Sequence, residues 1–322
     1  MPKSLSKSPS SSSRRSFLKT AAAAPLAAAW LDHHLTTTTV AAAAPPPAGS
    51  PKKAVLLSML PANRGETEKL SLLDRFGIAR DAGFEAIEMP TFTVQKEAEE
   101  AKAASEKTGV KIHSVMNSAH WEFPLSSADP EVVKKSVEGM QTSLRNAALW
   151  GAGTVLLVPA VVNPETSYGD AWTRSQKVIK ERLLPLAQEL KIIIAVEEVW
   201  NKFLLSPLEM ARYVDEFKSP WVRAYFDVGN IVFYGYPQDW IRTLGKRIVR
   251  VHLKDFKLDR RAGRFEWKNL GEGDIDWIAV RKALADIEYD GYMTTEINGG
   301  DLTYLKDVAQ RVDRFIGGAK PV

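Results

Sequence analysis

The chain has 322 residues, of which 45% are hydrophobic and 25% charged, an ordinary composition for a soluble globular protein. Its formal net charge of +4 comes wholly from residues 1–50, which hold five basic side chains and one acidic one. The rest of the chain is neutral, which argues against a nucleic-acid or anionic-membrane surface. The absence of cysteine excludes disulfides, thiolate metal ligands and cysteine nucleophiles.

Residues 1–50 have the composition of a targeting segment. A Ser-rich start precedes an Ala-rich run, and the sequence SRRSFLK at 13–19 resembles a twin-arginine signal. We expect a disordered twin-arginine signal peptide and Ala/Pro-rich linker over 1–50, recognised by the Tat export machinery, and a periplasmic protein. The apolar run contains Pro25 and is shorter than the about 20 residues that span a bilayer, so no membrane span is expected in the mature form. The alternative is a disordered basic tail on a cytosolic enzyme.

Eight short β-rich runs follow, separated by stretches with helical amphipathic patterns. In chain order the runs are 54–60, 84–89, 110–117, 154–159, 192–198, 224–230, 248–256 and 292–297. Strands that alternate with helices predict repeated βα units and a parallel sheet, and eight units predict an α/β fold of the (β/α)8, or TIM, barrel type. No linker or shift in composition divides residues 51–322, so we expect one domain there.

The seventh run indicates which side chains face into the barrel. Successive side chains of a strand point to opposite faces. Val249 and the apolar residues that alternate with it are therefore expected to face the surrounding helices. Arg250, His252 and Lys254 are expected to face the interior.

An ionisable side chain stands late in each of the last four runs. These are Glu197 or the adjacent Glu198, then Asp227, His252 and Glu296. Barrel enzymes keep their chemistry at the C-terminal mouth, where these groups would repel one another and lose solvation unless a cation neutralised them. Three carboxylates and one imidazole predict a divalent ion, Mn²⁺ first, then Mg²⁺ or Co²⁺, with Zn²⁺ less suited to so many oxygens. The alternative is four ordinary ion-paired residues.

Several stretches resemble the sugar phosphate isomerase/epimerase family, the xylose-isomerase-like barrels that include the ketose 3-epimerases. They are VEEVWNKFLLSPLEMARYVDEF, YFDVGNIVFYGYP, RVHLKDF, LGEGDIDW and YDGYMTTEI, and the resemblance covers 53–316. Members of that family hold one divalent metal with Glu, Asp, His and Glu from strands five to eight. The resemblance implies that the ligands here are Glu197, Asp227, His252 and Glu296. Glu198 is the alternative at the fifth strand.

The resemblance also implies proton transfer next to a carbonyl, through an enediolate that the metal stabilises. Glu197 and Glu296, on opposite sides of the substrate, would act as base and acid. Return of the proton to the other face of the same carbon is epimerisation, and return to the adjacent carbon is isomerisation. Lys254, on the same strand face as His252, is expected to bind a substrate oxygen.

Seven further side chains are weaker candidates for substrate contacts. They are Glu88 late in strand two, His113, Asn117, His120 and Trp121 at and after strand three, Asn201 after strand five, and Asn230 after strand six. Each has a structural alternative: Trp121 packs as readily as it stacks on a sugar, and a salt bridge would explain Glu88. Asn230 stands where ketose 3-epimerases carry a histidine, so the resemblance implies different substrate contacts there.

Four functions were weighed for this architecture. An isomerase or epimerase of a sugar or polyol comes first, and the expected export favours a non-phosphorylated substrate. A lyase acting on an inosose- or shikimate-like substrate would use the same metal and base, whereas a non-catalytic sugar-binding barrel would not need the full ligand set. A nuclease is disfavoured, because a multi-histidine metal cluster needs more than the three histidines outside residues 1–50. The sequence leaves open whether the chain forms a homo-oligomer.

Overall fold

The computed structural model describes residues 49–65 and 67–322. The predicted signal peptide and linker over 1–50 therefore lie outside the described residues, except for Gly49 and Ser50. Within the described ranges no helix combines the length and the apolar character that crossing a membrane requires.

Eight parallel strands close into a barrel, which confirms the predicted (β/α)8 fold. The strands are β1 (Lys52–Leu56), β2 (Ala86–Pro90), β3 (Lys111–Met116), β4 (Thr154–Leu157), β5 (Ile193–Glu197), β6 (Val222–Asp227), β7 (Ile248–Leu253) and β8 (Tyr292–Thr295). Each pairs with its neighbours in the chain, and β1 pairs with β8, with Ala54 opposite Thr294, to close the ring. All eight predicted runs overlap these strands.

Helices connect the strands on the outside of the barrel. They are α1 (Leu72–Ala82), α2 (Gln95–Thr108), α3 (Pro130–Trp150), α4 (Tyr168–Val178), α5 (Leu184–Leu190), α6 (Pro207–Asp215), α7 (Pro237–Leu244), α8 (Trp277–Asp286) and α9 (Leu302–Ile316). A π-helical turn, Ile179–Leu183, joins α4 to α5. Six helices begin at a Ser or Asp side chain that accepts a hydrogen bond from the first turn, which satisfies a backbone N–H that has no partner within the helix. These caps are Ser71, Asp129, Ser167, Ser206, Asp276 and Asp301.

Apolar side chains form a large layer between strands and helices and a small cluster inside the barrel. The outer layer includes Phe226 and Val251, as the alternation predicted, and the inner cluster includes Leu156 and Tyr225. Val249 packs against the inner cluster, so its predicted outward orientation is wrong. The cause is a β-bulge: the β6–β7 register shifts at this point, which interrupts the alternation.

Three predicted strand runs continue past the ends of their strands into residues that form other regular elements. Residues Leu57–Met59 form a 3-10 turn after β1, and Asn230–Phe233 form another after β6. After β7 the chain forms an antiparallel hairpin, Asp255–Asp259 with Arg264–Lys268, which we call the β7 hairpin. These departures lie at the C-terminal mouth, where loops shape the opening of a barrel.

Candidate functional site

Four ionisable side chains from consecutive strands meet at the C-terminal mouth of the barrel. Glu197 ends β5, Asp227 ends β6, His252 is next to last in β7, and Glu296 directly follows β8. One ligand-type atom of each lies within 4.8 Å of those of the other three. His252 Nδ1 lies 2.8 Å from both Glu197 Oε1 and Glu296 Oε2, and 3.7 Å from Asp227 Oδ2. The structure thus brings the four predicted residues together, and we call them the rim cluster.

The two adjacent glutamates after β5 point to different places. Glu197 belongs to the rim cluster, whereas Glu198 Oε1 accepts a hydrogen bond of 2.8 Å from the backbone N–H of Asp227. Burial, followed by the charges of Glu197 and Asp227, raises the pKa of Glu198 well above its ordinary value. Glu198 therefore links β5 to β6, and the geometry favours Glu197 as the member of the cluster.

Lys254 places an ammonium group against the rim cluster. Its Nζ lies 2.9 Å from Asp227 Oδ2 and 2.9 Å from Glu296 Oε2, with 14% of the side chain exposed. Although burial works against its charge, Asp227, Glu296 and Glu197 together raise the pKa of Lys254. A permanent positive charge therefore faces the point where a substrate oxygen would lie.

The two carboxyl groups on either side of His252 lie in different environments. Burial raises the pKa of Glu197. At Glu296 burial acts in the same direction, but the charges and hydrogen bonds of His252 and Lys254 outweigh it and lower the pKa. Paired carboxyl groups whose environments separate their pKa values are typical of acid–base sites.

The rim cluster has the donor atoms and the charge that a divalent cation requires. Within it three carboxyl groups, those of Glu197, Asp227 and Glu296, face two groups that can carry a positive charge, His252 and Lys254. Asp227 Oδ2 and Glu296 Oε2 are buried and share one ammonium group, whose Nζ lies 2.9 Å from each. Carboxylate oxygens in that state are costly unless a cation satisfies them, and the residues present fit one.

Glu88 and His113 lie beneath the rim cluster, inside the barrel, and neither side chain is exposed. Glu88 Oε2 accepts a hydrogen bond from the Tyr225 hydroxyl and lies 3.4 Å from His252 Nε2. His113 Nδ1 accepts a hydrogen bond of 3.2 Å from Arg250 Nε, and burial lowers the pKa of His113 well below its ordinary value. Glu88 thus faces the ring of His252, and His113 is part of the barrel interior; substrate contacts of these two residues stay predictions.

The three candidates after β3 lie in a hydrogen-bonded loop. His120 Nδ1 accepts from the Val158 N–H at 3.2 Å, and Asn117 Oδ1 accepts from the Ser143 hydroxyl at 3.3 Å. Trp121 is 60% exposed and meets the His120 ring edge-on at 4.6 Å. None of the three lines the cavity beside the rim cluster. Asn117 and His120 are therefore loop residues in this structure, and sugar stacking on Trp121 stays a prediction.

The two remaining predicted asparagines have different surroundings. Asn230 lies beside the cluster: its backbone N–H donates to Asp227 Oδ1 at 2.8 Å, and its Oδ1 lies 3.4 Å from Lys254 Nζ. Asn201 uses both polar groups in loop hydrogen bonds, and its Oδ1 accepts from the Phe203 N–H at 3.1 Å. Asn201 thus stabilises the loop after β5, and its role in substrate binding stays a prediction.

A cavity of about 590 Å³ opens beside the rim cluster. It begins at Lys254 and Glu296 and continues along Glu266–Asn269, the second strand of the β7 hairpin. Sequence analysis missed this wall of the cavity. The signal was the stretch KLDRRAGRFEW, in which two short alternating runs flank a Gly-containing turn, as in many hairpins.

Asp255 fixes the base of the β7 hairpin. Its buried carboxylate accepts hydrogen bonds from the backbone N–H groups of Gly271 at 2.7 Å and Gly273 at 3.1 Å, and from Trp277 Nε1 at 2.9 Å. A Cβ atom at Gly273 would lie 2.1 Å from Asp255 Oδ1, so the close approach requires glycine. The sequence GEGDIDW is therefore held against the strand end that carries Lys254.

With this barrel and this site, the chain belongs to the xylose isomerase-like TIM barrel family, whose profile matches residues 76–314. SgbU of Escherichia coli K12 is 28% identical over 244 residues, which are 71% of this chain and 84% of SgbU. L-ribulose-5-phosphate 3-epimerase UlaE of E. coli O1:K1 is 26% identical over 230 residues, which are 68% of this chain and 79% of UlaE. The crystal structure of D-psicose 3-epimerase with D-tagatose, from Clostridium cellulolyticum H10, shares the fold with a TM-score of 0.66 at 19% identity. That match covers 83% of this chain and 98% of that one.

Proposed function

We propose that this protein is a divalent-metal-dependent isomerase or epimerase of a non-phosphorylated sugar or polyol. The observation that carries the proposal is the rim cluster, three carboxylates and an imidazole around one point beside a cavity of about 590 Å³. Family membership and the similarity to UlaE, a sugar epimerase by name, support it. Because three of the four donors are carboxylates, Mn²⁺ is the first candidate, followed by Mg²⁺, Co²⁺ and Zn²⁺.

The residues around the cluster suit proton transfer next to a carbonyl. A divalent cation bound there would supply Lewis-acid stabilisation of negative charge on the substrate. Glu296, whose lowered pKa keeps it ionised, takes the proton from the carbon next to the carbonyl. Glu197, whose buried carboxyl group has a raised pKa and so carries a proton, returns one from the other side, and the two roles exchange in the reverse direction. Lys254 donates a hydrogen bond to a substrate oxygen. Return to the same carbon gives the epimer, and return to the neighbouring carbon gives the isomer.

The charges that line the cavity favour a substrate without phosphate. The two cationic side chains in its lining are Lys254, paired with the rim cluster, and Lys268, whose Nζ lies 2.6 Å from Glu266 Oε1. Phosphate binding normally uses free basic groups or exposed backbone N–H groups at a helix N-terminus. We therefore infer a sugar without phosphate, in contrast to the phosphorylated sugar in the name of UlaE.

The test is hydrogen exchange into sugars. The protein is stripped of metal, reloaded with Mn²⁺, and incubated in D₂O with ketoses, aldoses and inososes, with ribulose and ribulose 5-phosphate as a matched pair. We expect metal-dependent deuterium incorporation, seen by NMR, at the carbon next to the carbonyl, and preference for ribulose over its phosphate. Loss of water from an inosose would assign a lyase instead. Tight sugar binding without exchange for any sugar or metal would contradict the enzymatic proposal.

Export by the twin-arginine route is part of the proposal. It is supported by SRRSFLK at 13–19 and by the concentration of net charge in residues 1–50. We expect the full chain in the periplasmic fraction of a cell with this route, and the double variant Arg14→Lys, Arg15→Lys in the cytoplasm. Equal amounts of both proteins in the cytoplasm would contradict export.

A further inference from the structure

Five aromatic side chains from three loops pack together at the mouth of the barrel. They are Trp200 after β5, Phe233 after β6, and Phe256, Phe265 and Trp267 of the β7 hairpin, which we call the aromatic shelf. The rings of Trp200 and Trp267 are stacked, with centroids 5.2 Å apart and planes 25° apart. Phe265 meets Trp200 edge-on at 5.0 Å.

Four of the five rings of the aromatic shelf are exposed although they are apolar, and Phe256 is buried beneath them. Trp267 is 42% exposed, Phe265 is 51% exposed and Phe233 is 44% exposed. Single exposed apolar residues are ordinary, but a contiguous patch of large rings marks a surface that another molecule covers. We therefore expect another molecule to bind to the aromatic shelf.

The shelf is continuous with the proposed reaction site. Trp267 lines the same cavity as Lys254 and Glu296, and Lys254 Nζ lies 5.4 Å from the centre of the Trp267 ring. From Glu296 the lining of the cavity continues along Glu266–Asn269 to Glu272. A molecule that reacts at the rim cluster can therefore extend along the hairpin.

The neighbours of the rings favour a carbohydrate as the occupant. The lining of the cavity combines Trp267 with the polar side chains of Glu266, Lys268, Asn269 and Asn298. A sugar ring has apolar C–H faces that stack on aromatic rings and hydroxyl groups that bond to amide and charged groups at its edge. The core of a protein–protein interface, by contrast, is depleted in Lys and Glu.

We propose that the aromatic shelf is a subsite for a second sugar ring, so that the substrate is a ketose linked to another ring rather than a free monosaccharide. This inference rests on the proposed function. The ring on the shelf contributes its anomeric carbon to the glycosidic bond, which leaves the carbonyl of the reacting ring free at the rim cluster. Contacts with the second ring fix the orientation of the first without taking part in proton transfer.

The test compares D-fructose with lactulose, which carries a galactosyl ring on O4 of fructose, and isomaltulose, which carries a glucosyl ring on O6. Calorimetric titration of the Mn²⁺-loaded protein measures the affinities, and D₂O exchange measures the reaction. We expect at least one disaccharide to bind about tenfold or more tightly than D-fructose, the scale of one good ring contact. Trp267→Ala should lower the affinity for that disaccharide by more than it lowers the affinity for D-fructose, and so remove the preference, whereas Trp267→Phe should retain part of it.

Tyr236→Ala is the matched control, because Tyr236 is an aromatic residue outside the shelf that is 73% exposed. Equal affinity for D-fructose and both disaccharides would overturn the proposal. So would a dimer, measured by sedimentation, that Trp267→Ala dissociates, since a second copy would then cover the shelf. Exchange on D-fructose without any disaccharide preference leaves the proposed function standing and removes the shelf. A disaccharide preference without exchange on any sugar would support the aromatic shelf as a subsite and contradict the proposed function.

Discussion

The two halves of the barrel use their polar side chains differently. Strands β5–β8 end in four ionisable groups that converge on one point, where Asp227 and Glu296 share the ammonium group of Lys254. After β2–β4 neutral polar groups bond to one another or to the backbone: Asn146 Oδ1 accepts from the Phe92 N–H at 2.8 Å, and the Thr91 and Ser143 hydroxyls lie 2.8 Å apart. The difference teaches that the convergence of charged groups at strand ends, rather than polarity itself, distinguishes a candidate reactive site from a scaffold.

The largest effect should come from Glu296→Gln, on the reactive half. The amide keeps the shape of the side chain but removes the negative charge and the ability to carry the transferred proton. We expect deuterium exchange into the substrate to fall by about 10²–10⁴, the usual contribution of a positioned acid or base. Metal content measured on the same sample separates loss of the cation from loss of proton transfer.

Glu122→Gln is the control for this change, because Glu122 is an exposed carboxylate on the loop after β3. Its exchange rate should match that of the unmodified protein. Full activity in Glu296→Gln would contradict the assignment of the reaction to the strand ends of β5–β8.

Glu88→Gln tests a residue of the β2–β4 half whose side chain lies against the rim cluster of the β5–β8 half. Glu88 Oε2 lies 3.4 Å from His252 Nε2, so its carboxylate orients the ring that presents Nδ1 to the rim cluster. Outer-shell partners of a metal-binding histidine typically contribute 10–100-fold to affinity, and we expect a loss of about that size in Mn²⁺ affinity. Glu85→Gln, three residues earlier and exposed, should leave Mn²⁺ affinity unchanged. Unchanged affinity in Glu88→Gln would make Glu88 part of the scaffold alone.

Asn146→Ala should change stability and leave activity intact. The substitution leaves the Phe92 N–H without its hydrogen-bond acceptor, and an unsatisfied buried group costs about 1–3 kcal/mol. We expect the urea midpoint to fall accordingly while the exchange rate per folded molecule stays within about twofold of the original. A large drop in that rate would show that the scaffold half takes part in the reaction.

The smallest effect concerns acid stability and His120. Burial lowers the pKa of His120 from 6.5 to about 3. Below pH 6.5 His120 is protonated in the unfolded chain but stays neutral in the folded protein. The contribution of His120 to the free energy of unfolding is therefore complete above that pH and falls as the pH drops toward 3. The slope is at most about 1.4 kcal/mol per pH unit for one group. The free energy of unfolding, measured with urea between pH 7 and 5, should change less with pH for His120→Gln than for the original protein. Parallel pH dependences of the two proteins would contradict this account.

Most of the barrel could be predicted because alternation and strand–helix order are local properties of a sequence. The predicted runs end within a few residues of the observed strands, and Tyr225 and Asp227 face inward as expected. Val249 could not be predicted because the bulge arises from the register between β6 and β7, which a single strand does not specify. The β7 hairpin was missed because its first strand continues the β-rich run of β7 without a break.

The site residues, too, were predictable where they lie on strand ends and not where they lie on loops. Glu197, Asp227, His252, Glu296 and Lys254 were found because strand ends of a closed barrel must converge. The surroundings of the candidates on loops, such as Asn117 and Asn201, could not be predicted, because a loop's hydrogen bonds depend on distant chain segments. Trp267 was missed for the same reason: its neighbours Trp200 and Lys254 belong to other loops.

The carboxylate of Asp255 has a consequence for how this protein can diversify. Its hydrogen bonds to Gly271, Gly273 and Trp277 anchor the hairpin at its root, so residues 257–267 form a cassette whose ends are held independently of its tip. Such a cassette can be lengthened, shortened or exchanged for that of another member of the family while the strand ends that carry the rim cluster stay in register. The wall of the cavity can therefore change in this one segment without rebuilding the barrel.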